Sequence, residues 1–191
     1  NTFKILVIIT AYVFAFEMIA SPSFYVNDTK IVGTSSEDVD IYLGIPYAEP
    51  PIDSLRWEVT QPKVFETERF VADKFAPACM QGPRIVNWYK GVAAGFGGDP
   101  NYIKTPEISE DCLYLNMWVP NELDNKEKIP VLIYIHGGSN RAGWSFEPNY
   151  IGKNLSKKGV IVITVSYRLG VFGFYSHPNL EASNFALLDL I

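Results

Sequence analysis

The sequence is poor in cysteine, poor in histidine and poor in clustered positive charge. Its 191 residues hold 2 Cys and 2 His, with 16 Lys and Arg against 21 Asp and Glu. The net charge is −5, and no run of Lys and Arg exceeds two or three residues. That excludes the electrostatic footprint of a nucleic-acid binder, so no nucleic-acid partner is expected. No cofactor and no metal ion are expected either. The apolar run Ile5–Phe16 is broken by Glu17 and is too short for a comfortable membrane span.

What is present is apolar. Hydrophobic residues make up 48% of the chain and aromatics 14%, which fits a globular protein of one or two domains and not a disordered one. The chain starts at Asn1 and stops at Ile191 inside an apolar run, so both ends are expected to be cuts.

The stretch around which the rest is arranged is Pro130–Gly143, P-V-L-I-Y-I-H-G-G-S-N-R-A-G. Val131–Ile135 is short, apolar and β-rich, and is expected to be a strand buried on both faces. It runs directly into His136 and two glycines. Paired glycines let a loop take positive φ and bring backbone N–H groups close to a ligand. Such a loop can form an oxyanion hole, with donors aimed at an oxygen that turns negative during acyl transfer. The competing reading is a tight turn with a satisfied His136.

Lys4, the apolar run after it, and the small residues Ala20, Ser21 and Ser23 describe a secretory signal peptide over residues 1–23. The competing reading is a buried strand or helix of the fold. Two N-x-S/T sequons, at Asn27 and Asn154, are candidate glycosylation sites and support secretion only weakly. A secreted or extracellular location is expected, with any membrane anchor in a missing C-terminal part. In a secreted chain the pair Cys79 and Cys112 reads as a disulfide; two free buried thiols are the alternative. Closing a loop of about 33 residues stabilises a fold by roughly 3–4 kcal/mol in the chain-entropy model.

Lys30–Thr34 and Asp40–Leu43 read as a hairpin or small antiparallel sheet. Tyr42–Pro51 carries three prolines and a glycine and is expected to be a packed, irregular loop. The segment between the cysteines shows little periodicity. Its Trp88, Tyr89 and Phe96 either wall a pocket or pack the loop onto the body. Trp144 and Phe146, just past the glycines, are candidates for the same wall. Tyr114–Pro120 reads as a strand, Asn121–Lys128 as an exposed connection, and Val160–Val165 as a second doubly buried strand. Phe185–Ile191 reads as the start of a helix, with Asp189 reaching Arg168. Strands of this kind with polar segments between them indicate an α/β plan.

Five motifs then occur in order. They are Gly44-Ile45-Pro46-Tyr47-Ala48 with Pro50-Pro51, Glu110–Asn116, Ile135-His136-Gly137-Gly138, Tyr167-Arg168-Leu169-Gly170, and Ala186-Leu187-Leu188-Asp189. Over residues 30–191 the chain resembles the type-B carboxylesterase/cholinesterase family of α/β-hydrolases. The resemblance implies the N-terminal portion of that fold over residues 24–191: a small N-terminal antiparallel sheet and the first strands of a predominantly parallel central sheet. It implies a Cys79–Cys112 disulfide and the ion pairs Arg56–Glu110 and Arg168–Asp189. It also implies that Gly137, Gly138 and Ser139 present the oxyanion-hole amides to a small-molecule ester. The family's nucleophile lies in a G-x-S-x-G elbow, and none occurs in this sequence. Neither His136 nor His177 sits where the family's base does, so the fragment itself is expected to be inactive.

The sequence departs from the family at several positions. Ser139 stands where a third glycine is usual, and its Cβ resists positive φ. Asn140 replaces a common aromatic, Ser166 a common Asn, and Ser183-Asn184 the usual Gly-Asn. His-Gly-Gly-Ser and Val-Ile-Val-Ile-Thr-Val also resemble the neuroligin branch, whose members keep the fold, lack the nucleophile and bind protein partners. Two functions follow as expectations: a secreted carboxylic ester hydrolase, or a non-catalytic adhesion protein. A degraded or mispredicted gene product is the third.

Overall fold

A computed structural model describes residues 21–121 and 128–191. The expected signal peptide therefore lies outside the described residues except at its C-terminal end, and most of the Asn121–Lys128 connection lies outside them too.

In chain order the strands are β1 (Ser23–Val26), β2 (Thr29–Val32), β3 (Thr34–Ser36), β4 (Val39–Pro46), β5 (Arg69–Val71), β6 (Ala78–Cys79), β7 (Ile108–Ser109), β8 (Tyr114–Pro120), β9 (Val131–Ile135) and β10 (Ile161–Val165). The α-helices are α1 (Arg84–Gly95), α2 (Lys153–Ser156), α3 (Gly170–Phe174) and α4 (Phe185–Leu188). The main sheet has five strands in the order β3-β4-β8-β10-β9, and a three-stranded sheet runs β1-β2-β5.

The first hairpin turns at Asn27, which takes φ +50°, a left-handed conformation that Asn tolerates. It pairs Val26 with Thr29 and Ser23 with Val32. β8 shows the alternation of a strand with one well-packed face. Asn116 and Trp118 are buried, while Leu115, Met117 and Val119 are half-buried. Trp118 packs with Val39 of β4 and Val162 of β10. α2 lies over this face, with Gly152 so close to Trp118 and Val162 that a Cβ there would stand 2.6 and 2.7 Å from them.

Several expectations are corrected. β9 is not buried on both faces: Val131 is 54%, Ile133 62% and Ile135 49% exposed. It is the last strand of the sheet and pairs only with β10, so its apolar composition meets no second neighbour among the described residues. β10 is buried on one face only, at Val162 and Thr164. The described part of the main sheet is mostly antiparallel; β9–β10 is its one parallel pair. Lys30–Thr34 and Asp40–Leu43 meet only at the end of the first segment, where β3 and β4 form an antiparallel hairpin that pairs Thr34 with Ile41; the rest separates, because β4 joins the main sheet through β8 while β2 pairs with β1 and, in parallel, with β5. β4 also runs on to Pro46, into the proline-rich stretch read as irregular. A bulge between Tyr42 and Ile45 absorbs the interruption, with Gly44 at φ +68°. The segment between the cysteines contains the 12-residue helix α1. Only Val86 in it is fully buried, so it left a weak apolar pattern to read.

Candidate functional site

The site begins where β9 ends. The parallel register Ile133↔Ile163 to Ile135↔Val165 carries β9 to the same end of the sheet as β10, and the chains leave side by side. His136 turns inward. Its ring stacks on Tyr167 with centroids 4.6 Å apart, and its carbonyl accepts the Tyr167 hydroxyl at 2.8 Å. The ring Nδ1 lies 2.9 Å from the Gly137 carbonyl, which can only accept, so Nδ1 carries the proton. Nε2 is buried without a partner among the described residues. Burial pushes the His136 pKa below its ordinary value, outweighing the Gly137 hydrogen bond, and the imidazole is neutral at pH 7.

Gly138 takes φ +117°, and a Cβ there would stand 1.6 Å from the Ala142 carbonyl oxygen, so no side chain fits. Ser139 and Asn140 follow at φ +58° and +60°. The carbonyls of this turn are used: Gly138 accepts from the Arg141 N–H at 3.2 Å, and Asn140 from the Gly170 N–H at 2.7 Å. The N–H groups of Gly137, Gly138 and Ser139 donate to no acceptor among the described residues. Gly137 and Gly138 line a cavity of about 280 Å³, with Trp88 and Tyr89 of α1, Glu147 and Tyr150 among its other walls. Ser139 is exposed beside the cavity and does not line it.

Glu147 is buried, and no reading of the sequence singled it out. Its carboxylate accepts the Trp144 N–H at 3.1 Å and the Tyr89 hydroxyl at 2.6 Å. Burial first, then the adjacent Glu147, pushes the Tyr89 phenol above its ordinary range, so Tyr89 remains a donor. A second buried network supports the loop from behind. The Asn116 amide donates to Ser145 Oγ and Thr164 Oγ1, each at 3.1 Å, and accepts the Gly44 N–H at 3.0 Å. The Ser166 hydroxyl donates to Ser145 Oγ at 2.9 Å. The one signal for this network was an Asn inside an alternating strand, where that residue is depleted.

The remaining candidate residues fall as follows. Trp88 is 59% exposed at the cavity. Trp144 and Phe146 do not line it. Trp144 is core with Ala78 and Val86, and Phe146 stacks on Phe75 at 4.5 Å, because the turn after Gly143 directs both rings inward. Phe96 is 91% exposed. Cys79 and Cys112 form a disulfide. Arg56 grips Glu110 through both Nε and Nη2, and that hydrogen bonding raises the guanidinium pKa further. Arg168 and Asp189 form a buried pair at 2.7 Å, in which the carboxylate also accepts the Arg168 N–H and the Thr60 hydroxyl. Asn27 is exposed at a hairpin tip and Asn154 on α2.

Comparison with known proteins adds the ancestry. The carboxylesterase family profile matches residues 20–191. The chain belongs to the carboxylesterase family. Among its relatives, the fumonisin B1 esterase of Sphingopyxis macrogoltabida is 37% identical over 161 residues, covering 81% of this chain and 27% of that protein. The para-nitrobenzyl esterase of Bacillus subtilis (strain 168) is 34% identical over 164 residues, covering 84% of this chain and 31% of that protein. The solved structure of a PNB esterase superposes with a TM-score of 0.77 at 31% identity, covering 90% of this chain and 33% of that one. The fold is thus part of the α/β-hydrolase fold, and the chain spans under a third of the length of these two curated relatives.

Proposed function

We propose that residues 24–191 form the oxyanion-binding portion of a serine carboxylic ester hydrolase. The observation that carries the reading is the pair of N–H groups on Gly137 and Gly138, unpartnered among the described residues and borne by glycines that line a cavity. When a nucleophile adds to an ester carbonyl, the oxygen gains a full charge. Preformed backbone donors in a cavity stabilise that charge without reorganising. His136 is not the base: its carbonyl and Nδ1 are occupied and its ring is buried under Tyr167. The nucleophile, its acid and its base would come from outside these residues. The names of the relatives support small-molecule carboxylic esters as the substrate class. The proposed setting is extracellular, with residues 1–23 as a leader and exposed Asn27 and Asn154 as glycan acceptors.

The test has two arms. The 191-residue chain alone should not hydrolyse p-nitrophenyl esters above a heat-killed control. In a polypeptide that carries this chain together with a serine nucleophile, Gly138→Ala keeps its N–H, but its Cβ would meet the Ala142 carbonyl and force that N–H out of place; kcat should fall by at least about 100-fold, since an oxyanion donor that no longer reaches its target costs roughly 3–4 kcal/mol of transition-state stabilisation. Unchanged turnover in Gly138→Ala would remove the reading.

One observation favours a second reading. Ser139, which stands where the family's third glycine is usual, is exposed and is not among the residues that line the cavity. That supports a non-catalytic, partner-binding protein of the neuroligin kind. An organophosphate that labels an activated serine separates the two: labelling supports the hydrolase, and none supports the binder.

A further inference from the structure

We propose that Gln81 is a positioning residue for the oxyanion loop, clamping the Gly143 peptide so that the Gly137 and Gly138 amides keep their aim; this rests on the oxyanion reading above. Gln81 lies 62 residues before Gly143, in the segment closed by the disulfide. Its Nε2 donates to the Gly143 carbonyl at 2.7 Å, and its Oε1 accepts the Gly143 N–H at 2.7 Å. One side-chain amide thus satisfies both polar groups of one residue. The same Nε2 donates to the Cys79 carbonyl at 3.1 Å, next to the Cys79–Cys112 bond.

Gly143 is the part of the loop that lies against the oxyanion donors. A Cβ on it would stand 2.5 Å from the Gly137 carbonyl oxygen and 2.5 Å from His136 Nδ1. On the other side, Gly138 lies against the Ala142 carbonyl with no room for a methyl group. The two arms of the loop, 136–138 and 142–143, are therefore in direct backbone contact, and a shift of one displaces the other. Only Gln81 bonds the Gly143 N–H and carbonyl among the described residues. A residue that merely satisfied a buried peptide would affect stability and leave turnover alone. A residue that aims the donors would change kcat and leave KM alone, because the donors act on charge that exists only in the transition state.

The experiment uses the polypeptide that carries this chain with its serine nucleophile, assayed on a p-nitrophenyl ester. Gln81→Ala is expected to lower kcat by about 10- to 100-fold with KM within about twofold, the size of effect that a misplaced reacting group produces. Gln81→Glu keeps an acceptor for the Gly143 N–H but sets a carboxylate oxygen against the Gly143 and Cys79 carbonyls in place of the Nε2 donor, so it should lower kcat at least as far as Gln81→Ala; it also serves if the alanine variant fails to fold. Amide hydrogen exchange at Gly143 should quicken in both variants. A normal kcat in Gln81→Ala, alongside a Gly138→Ala variant that has lost turnover, overturns the proposal while sparing the oxyanion reading. If Gly138→Ala itself retains turnover, the oxyanion reading is lost and the positioning role falls with it. Unchanged exchange at Gly143 in Gln81→Ala would overturn the clamp even where turnover is lost.

Discussion

Ile133 and Ile135 on β9 are 62% and 49% exposed, whereas His136, the next residue, is buried under Tyr167. The strand is bound to the protein along one edge by its ladder to β10. The loop is bound by the Tyr167 hydroxyl and the Gly170 N–H, from one stretch of chain, and by the Gln81 amide from another. The contrast separates composition from position. Val-Leu-Ile-Tyr-Ile is the most apolar text in the region and the least covered. The polar, glycine-rich text after it is the better held, because directional hydrogen bonds fix a backbone that has few side chains to pack.

The hardest blow to the held side is at its far end. Asp189→Ala should destabilise the chain by about 3–5 kcal/mol, since it leaves the Arg168 guanidinium buried and uncompensated. Urea unfolding followed by circular dichroism measures this, and a loss under about 1 kcal/mol would show that the pair is not what holds that side. A smaller effect comes from His136. Its folded pKa lies below its unfolded value, so the unfolded state binds the proton first and stability falls as pH drops below about 6.5. His136→Gln should flatten that part of the Tm-against-pH curve, and an unaltered slope would place the titration elsewhere. The smallest effect belongs to the bare side. Ile133→Thr should change stability by less than about 0.5 kcal/mol, as surface substitutions do. It should also raise the monomer fraction in sedimentation velocity by making an open strand edge less adhesive. A loss of several kcal/mol would mean that β9 is covered after all.

What the sequence made legible was local or patterned. His136-Gly137-Gly138 marked the loop, alternation marked β8, and five motifs in order marked the fold. The Cys count marked the disulfide. Exposure of β9 was not legible, because an edge strand and a central strand share one composition and differ only in neighbours. α1 was missed because it buries a single residue fully. Gln81 and Glu147 were missed for another reason. Each does its work through a partner, Gly143 or Tyr89, that lies 62 or 58 residues away, and neither residue type is unusual where it stands.

The Asn116 side chain has a consequence for how this region is made. Its three hydrogen bonds go to Gly44, Ser145 and Thr164, at separations of 72, 29 and 48 residues. None of these can form from a nascent hairpin, and each is costly to leave open once the strand is sequestered from water. The scaffold behind the glycine turn is therefore complete only when β4, the Ser145 turn and β10 have all met β8. Until then a newly synthesised chain holds the glycines in order but not the geometry that gives them a purpose.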